Sequence, residues 1–183
     1  DSRLAIGEFG VSFLTKSVWN PVTGEFGALS SAYGTLLSTV IAMMLAVPMS
    51  LMIALFLVEF SHPEVSRIVG YAIELLASIP SIIYGMWGLF VFVPFMAEKI
   101  QPSLGDKLGF IPLFSGPPMG VGMLTAGIIL ALMILPFMTA VMRDVFRMVP
   151  GVLKESGYGM GSTTWEVTKE IVVPFGLKGL VGA

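Results

Sequence analysis

The side chains that most often carry out chemistry in proteins are scarce in this sequence. It contains no cysteine and a single histidine, His62, so thiolate sites and multi-histidine metal sites are excluded. The same scarcity removes the usual nucleophile–base pairs of hydrolytic enzymes. His62 stands beside Pro63 in a short polar segment, and we interpret it as a loop residue rather than a ligand. These residue types predict no catalytic site, no metal site and no cofactor.

Charged residues are also few. Only 12% of the 183 residues are charged, whereas soluble domains carry about 25%. Hydrophobic residues make up 55% of the chain, and its mean hydropathy is +0.89. A chain with this few charges cannot cover a surface that faces water on all sides. The composition therefore predicts a protein that contacts the lipid bilayer. The formal net charge of −2 provides no basic excess for nucleic-acid phosphates, so we expect no nucleic-acid partner.

Three long stretches without any charged residue predict the elements that position the polar side chains. They contain 33, 23 and 35 residues. About 20 apolar residues cross the bilayer core as a helix, and a helix pairs its own backbone groups inside lipid. We therefore predict membrane-spanning helices at 33–58, 68–97 and 119–142, with the start of a further helix at 179–183.

The distribution of lysine and arginine predicts the orientation of these helices, because cytoplasmic loops carry the excess. One side of the membrane receives six such residues: Arg67, Arg143, Arg147, Lys154, Lys169 and Lys178. The other side receives four: Arg3, Lys16, Lys99 and Lys107. This predicts a periplasmic segment at 1–32 and a cytoplasmic loop at 143–178. The chain begins at Asp1 and ends within an apolar run, so we expect a fragment of a longer protein.

Small residues recur at every fourth position in the first predicted helix. They would let another helix approach closely in lipid, although alanine is also simply common in membrane helices. These residues are Ala42, Ala46, Ser50 and Ala54. Prolines stand inside all three predicted helices, where we expect kinks. They are Pro48, Pro80 and Pro136.

Glu74 is the one ionisable residue inside a predicted membrane helix. A charge at membrane depth is costly, which makes it a candidate functional residue by default. It lies only about two helical turns from Arg67, however. Structural packing or pairing with a neighbouring helix is therefore the alternative to a direct gating role.

The long polar segment after the third predicted helix favours a helix–turn–helix structure. Residues 152–160 are compatible with a short helix, which Gly161 ends. Thr163 and Glu166 have the spacing of a capping box at the start of a second helix, and Pro174 is expected to stop it. The glycine-rich turn is thin enough to enter a cleft in another protein. A surface loop without a partner is the alternative.

This segment resembles the "EAA" loop of binding-protein-dependent ABC importer permeases. That motif reads Glu-Ala-Ala, three residues, Gly, nine residues and Ile-x-Leu-Pro. The spacing matches throughout, with Ser156 and Gly157 in place of the two alanines and Val173 in place of the leucine. The matched positions are Glu155, Ser156, Gly157, Gly161, Ile171 and Pro174.

Within this family, the chain is most similar to the phosphate permease subunits, over essentially its whole length. The stretches that carry the similarity are 26–29, 33–36, 73–88, 142–146 and 154–167. The resemblance implies an all-α membrane protein with the type I ABC importer permease (MetI-like) helical bundle. Residues 33–183 would form part of the ABC transmembrane type-1 domain, with about three complete helices and the coupling loop. The family's first helix and last spans would lie outside this chain.

The resemblance also implies a function and partners. The chain would be a permease subunit of an ATP-driven importer of inorganic phosphate in the plasma (inner) membrane of a bacterium or archaeon. The implied partners are a second, PstA-like permease subunit, nucleotide-binding ATPase subunits and a periplasmic phosphate-binding protein. The chain has no GxxxxGK[ST] pattern, so ATP hydrolysis would fall to the ATPase. The matched loop residues would couple the two.

Arg143 would lie at the inner mouth of the path in this reading. It could attract the leaving anion, or it could anchor the helix on the positive inner face with Asp144 as its local partner. The predicted spans contain no lysine or arginine, so we expect no tight charge-paired phosphate site within them.

Several other functions remain open. The chain could serve an ABC importer of another oxyanion or small solute. A secondary transporter or channel would need charges inside the membrane, and Glu74 is the only candidate. A membrane enzyme and a purely structural subunit are the remaining alternatives.

Overall fold

The computed structural model describes residues 10, 12–110 and 117–182. The helices, in chain order, are α1 (Ser12–Thr15), α2 (Leu29–Leu55), α3 (Pro63–Ala77), α4 (Ser81–Trp87), α5 (Val93–Phe95), α6 (Gln101–Leu108), α7 (Met123–Arg147), α8 (Gly151–Gly159), α9 (Thr164–Val167) and α10 (Val173–Gly182). Within the described residues, four π-helical turns extend or join these helices, at Phe56–Phe60, Gly88–Phe92, Met96–Ile100 and Thr168–Val172. In the described part of the chain, the one sheet is a hairpin of β1 (Trp19–Asn20) and β2 (Glu25–Phe26).

Among the described residues, three continuous helical stretches are long and apolar enough to cross a bilayer. The first span is Leu29–Phe60, the second span is Ser81–Lys107 and the third span is Met123–Arg147. The first and third overlap the helices predicted at 33–58 and 119–142. The expectation of an all-α membrane protein is confirmed.

The second span differs from the single helix predicted at 68–97, and that prediction is wrong. The chain leaves α3 at Ser78 and re-enters a helix after Pro80, whose ψ of 136° is extended. Pro80 therefore separates two helices instead of kinking one, because its ring blocks the preceding turn of a continuing helix. Ser78, Ile79 and Pro80 carry no charge, so counting charges could not reveal the break. As a result, Glu74 lies on α3, outside the three spans.

The first and third spans pack through small side chains. Four residues of α2 are completely buried: Ala42, Ala46, Ser50 and Ala54. The first two cluster with Ala131 of α7, and the last clusters with Met142 and Phe146. The Ser50 hydroxyl donates a hydrogen bond across the contact to the backbone carbonyl of Leu135 (3.3 Å). Side chains this small let the two helix backbones approach closely.

The two other prolines that were expected to kink helices lie within uninterrupted helices. Pro48 is exposed inside α2, and Pro136 is buried inside α7. Membrane helices tolerate proline because neighbouring groups satisfy the backbone carbonyl that it leaves without a donor. Neither proline ends its helix.

The C-terminal helices form the expected helix–turn–helix, with one correction. α8 ends at a turn in which Gly161 has a φ of +87°, a conformation that favours glycine. α9 then continues through the Thr168–Val172 π turn into α10. Pro174 was expected to stop this helix, and that is wrong. It is the second residue of α10, and proline is tolerated in the first turn of an α-helical segment.

The terminal segments are described only in part. Of the predicted periplasmic segment 1–32, residues 1–9 and 11 lie outside the described residues. In the part that is described, Trp19 packs edge-on against Phe26 across the hairpin, with ring centroids 5.0 Å apart. Of the further helix expected to start at 179–183, α10 covers the residues up to Gly182, and Ala183 lies outside the described part.

Candidate functional site

The glycine loop, residues 148–163 between α7 and α9, is shaped by its own sequence. Pro150 precedes the first turn of α8, where a proline ring fits the start of a helix. At the other end, Thr163 and Glu166 form the capping box that their spacing predicted. The Thr163 N–H donates to Glu166 Oε2 at 2.7 Å, and the Glu166 N–H donates to Thr163 Oγ1 at 3.3 Å. The Thr163 backbone N–H, followed by its hydroxyl, holds the pKa of the Glu166 carboxyl below its ordinary value.

Gly157 lets α8 pack directly against the helix that follows it. A Cβ on Gly157 would lie 2.9 Å from both Ile171 Cδ1 and Val167 Cγ2, closer than real Cβ contacts allow. Gly157 is buried, whereas Glu155 and Ser156 beside it are exposed. The matched motif residues therefore divide into a packed set, Gly157 and Ile171, and an exposed set that faces away from the bundle.

The exposed face of the glycine loop carries large apolar side chains. Val152 is 71% exposed and Met160 is 81% exposed, and Tyr158 is also exposed. Apolar side chains clustered at one end of a molecule mark surfaces that contact a partner or lipid. Together with Glu155 and Ser156, they give this face a mixed apolar and polar character.

The glycine loop and α9, which follows it, each make one contact with the end of the first span. The ammonium of Lys154 donates to Glu59 Oε1 at 2.5 Å, and the two side chains are only 21% and 5% exposed. Phe60, next to Glu59 in the chain, contacts Trp165 of α9, with ring centroids 6.5 Å apart. Glu59 lies in the π turn that ends the first span. A buried charge pair therefore connects the loop to the end of that span.

Glu74 and Arg143 are brought together by the fold. Arg143 Nη2 donates to Glu74 Oε1 at 2.5 Å, which joins α3 to α7. Arg143 Nε lies 3.6 Å from the Asp144 carboxylate, the local partner expected from the sequence. Gly70 makes room for the guanidinium, since a Cβ there would overlap Arg143 Nη1. Glu74 thus pairs with a neighbouring helix.

Sequence reasoning missed three residues of these contacts. Glu59, Lys154 and Gly70 were not singled out, although Glu59 is the first charge after a 33-residue uncharged stretch. The position of Glu59 at the end of that stretch could have marked it as a candidate, whereas nothing in the sequence around Gly70 marked that residue. His62 takes a structural position, as the residue before α3, where its Nδ1 accepts from the Glu64 N–H at 3.4 Å. Within the described residues, no group of three His, Asp or Glu side chains could hold a metal ion.

Comparison with known proteins finds relatives along almost the whole chain. It is 55% identical over 178 residues to the phosphate transport system permease protein PstC of Pasteurella multocida, which covers 95% of this chain and 56% of that protein. It is 52% identical over 182 residues to the protein of the same name from Mesorhizobium japonicum, covering 97% of this chain and 56% of that protein. A probable PstC of Methanocaldococcus jannaschii is 32% identical over 173 residues, covering 92% of this chain and 55% of that protein.

The chain therefore spans a little over half the length of these curated relatives. No protein-family model and no solved structure matches it.

Proposed function

Because this chain is a homologue of PstC phosphate transport permeases over nearly all of its length, we propose that it is a permease subunit of an ATP-driven importer of inorganic phosphate. It is a multi-pass protein of the plasma (inner) membrane, in keeping with its three spans. Its role is to form half of the translocation pathway and to couple that pathway to ATP hydrolysis by another subunit. The single observation that carries the proposal is the combination of this homology with a glycine loop that leaves the matched motif residues Glu155 and Ser156 exposed.

The glycine loop is the proposed docking element for the ATPase. Its exposed side chains, led by Val152 and Met160, offer apolar surface to a groove in the nucleotide-binding subunit. Gly161 reverses the chain tightly, which keeps the loop narrow enough to enter that groove. Gly157 holds the loop rigidly on the helix behind it, so a push on the loop is not absorbed by local bending.

The Glu59–Lys154 pair is the proposed transmission element. When two ATPase subunits close on ATP, docked loops move with them as rigid bodies. The buried pair attaches the loop to the end of the first span, and Phe60 against Trp165 adds an aromatic contact at the same point. The first span moves with the loop and carries the third span with it through the small-residue contact at Ala46 and Ser50.

A second permease subunit, PstA-like, completes the pathway in this proposal. Three spans cannot enclose a solute path, and the second span leaves most of its surface uncovered in the described part of the chain. The remaining proposed partners are the ATPase pair and a periplasmic phosphate-binding protein that delivers the anion to the outer face.

The Glu74–Arg143 pair is the proposed inner gate. It joins α3 to α7 at the end of the third span that is predicted to face the cytoplasm. Relative movement of the two helices would separate the carboxylate from the guanidinium and open the space between them. Asp144 keeps a second carboxylate near Arg143 in either state.

The proposal is tested by uptake of labelled phosphate into vesicles that contain the full-length protein reconstituted with its partner subunits. The expected result is uptake that needs ATP and is blocked by vanadate. Uptake without ATP would indicate a secondary transporter or channel, and labelled sulfate entering in preference to phosphate would indicate another oxyanion as the substrate. Either outcome contradicts the proposal.

A matched pair of glycine variants tests the docking loop. Gly161→Val forces a β-branched residue to a φ of +87° and is expected to abolish uptake while leaving membrane insertion intact. Gly122→Val is the control, because Gly122 has an extended φ of 173° and a Cβ added there would meet no atom within 4 Å. Normal uptake by Gly161→Val would argue against docking at this loop. Retention of the ATPase after deletion of residues 155–161 would do the same.

A further inference from the structure

A cavity of about 470 Å³ lies where the end of the first span, α3 and the last turns of α7 meet. Its polar lining is dominated by arginine. The charged and hydroxyl side chains that the argument uses are Arg67, Arg143, Arg147, Glu74, Ser66 and Tyr71. Three guanidinium groups and one carboxylate line the cavity, and Glu64 and Asp144 pair with Arg67 and Arg143 from beside it. The volume lies within the range of about 300–1,000 Å³ typical of small-molecule sites.

Arg143 has one donor, its Nε–H, that nothing in the described part of the chain satisfies. Its side chain is only 6% exposed, and Nη2 donates to Glu74. The Nε–H is buried without a hydrogen-bond partner, since the Asp144 carboxylate at 3.6 Å is too distant. A buried, unsatisfied guanidinium donor is costly unless a ligand supplies the acceptor.

Arg147 is the second under-used cation of the lining. Its one polar contact with a described residue is a long hydrogen bond of 3.5 Å from Nη2 to the Ser66 hydroxyl. No carboxylate of the described residues forms an ion pair with it. Arg67, by contrast, is already held by Glu64 at 2.6 Å. Among the described residues, the guanidinium of the lining that no carboxylate pairs is therefore Arg147, one helical turn along α7 from the unsatisfied Arg143 Nε–H.

We propose that this cavity binds a phosphate-type oxyanion, held by the guanidinium groups of Arg143 and Arg147 with hydroxyl donors from Ser66 and Tyr71. Guanidinium matches a tetrahedral oxyanion because its parallel N–H groups donate to two oxygens at once. The same chemistry is offered by free inorganic phosphate and by the phosphate of an anionic lipid headgroup. Glu74 competes with the anion for Arg143, so its carboxylate weakens binding. The assignment stands on the cavity itself and does not require ATP-driven transport.

The experiment measures the rate at which phenylglyoxal, an arginine-selective reagent, modifies Arg147. The full-length protein is placed in phosphatidylcholine nanodiscs without ATP or binding protein, and the modified peptide is quantified by mass spectrometry. Inorganic phosphate is compared with chloride at equal ionic strength. In a second arm, phosphatidylglycerol replaces part of the phosphatidylcholine and phosphate is omitted.

If phosphate slows the modification of Arg147, the free anion is the ligand. If phosphatidylglycerol slows it and added phosphate slows it no further, the lipid headgroup is the ligand. Either result supports the site. Arg143→Gln should raise the concentration needed for protection about tenfold, as expected for loss of a charge-assisted hydrogen bond. Glu74→Gln should lower that concentration, because it removes the competing carboxylate. Lys169→Gln removes an exposed charge outside the lining and should leave protection unchanged.

The proposal is overturned if neither phosphate nor phosphatidylglycerol slows the modification of Arg147. It is equally overturned if Arg143→Gln and Glu74→Gln shift protection in the same direction. The opposite signs matter, because a general loss of structure would weaken protection in both variants. If neither ligand protects Arg147, the transport proposal is unaffected, because ATP-dependent uptake tests that proposal separately.

Discussion

The buried pair between Glu59 and Lys154 should contribute far more to stability than the exposed ion pair nearby. The Glu59 side chain is 5% exposed and the Lys154 side chain is 21% exposed. Lys154→Met removes the charge but keeps the apolar stem, and it leaves a buried carboxylate without a partner. Breaking a buried pair in this way costs about 3 kcal/mol. Glu59→Gln should cost less, because the Lys154 ammonium that remains is nearer to water.

The pair of Glu64 and Arg67 is a matched control. It has almost the same separation, 2.6 Å against 2.5 Å, but its side chains are 59% and 61% exposed. Exposed pairs contribute about 0.2–1 kcal/mol, because water and salt screen them and two long side chains must be ordered. A double-mutant cycle on each pair isolates the interaction energy from the other effects of each substitution.

The measurement is the free energy of unfolding of the full-length protein in mixed micelles, titrated with a denaturing detergent. We expect an interaction energy of about 2 kcal/mol or more for the buried pair and under about 1 kcal/mol for the control. Added salt should lower the interaction energy of the exposed pair but leave that of the buried pair unchanged. Equal interaction energies for the two pairs would refute the reasoning, because burial is the difference on which it depends.

Three further substitutions test other parts of the structure. Gly70→Ala adds a Cβ that would overlap the Arg143 guanidinium, so it should displace that group and lower the free energy of unfolding by about 1–3 kcal/mol. Gly85→Ala is the control, because the space at its Cβ is open, and it should be neutral or slightly stabilising. Ala46→Leu should overpack the fully buried contact between the first and third spans and cost about 1–3 kcal/mol in the same assay, a loss that the exposed Met44→Leu should not show. Because the pKa of Glu166 is lowered in the folded protein, the stability it contributes is present above its ordinary value of 4.5 and is lost as the pH falls through the lower, folded value. The protection factors of the amides at the start of α9, which correct for the slower intrinsic exchange at low pH, should therefore fall on acidification in the wild type and much less in Glu166→Gln.

Local patterns predicted much of the fold. The uncharged stretches located the first and third spans because the bilayer requires a minimum length of apolar helix, whatever the helix packs against. The four-residue spacing that begins at Ala42 marked the side of α2 that the structure buries. The capping box of Thr163 and Glu166 was readable because its two hydrogen bonds join residues only three apart.

The errors arose where one local feature, a proline in a helical segment, has three possible outcomes. Proline can kink a helix, end it or be tolerated in it, and the choice depends on the neighbouring turns. Pro80 separates two helices, whereas Pro174 follows a π turn and leaves the helix intact. Placing Glu74 inside a membrane span followed from the first of these errors.

The candidate site was less accessible to sequence reasoning than the fold. Glu74 and Arg143 were each singled out for their charge, but their pairing joins residues 69 positions apart. The contact between Glu59 and Lys154 spans 95 positions. Neither separation follows any helical period, so no spacing rule could connect them.

The amino-acid sequence by itself determined that this chain enters a membrane as helices and that it exposes a glycine-rich turn on one side. Both follow from hydropathy and backbone conformation, which act over one or two turns of chain. Only the tertiary structure decided which charges meet, where α3 separates from the second span, and that three arginines line one cavity. Those outcomes depend on how α2, α3 and α7 pack together, and packing is a property of distances in space that the order of residues does not record.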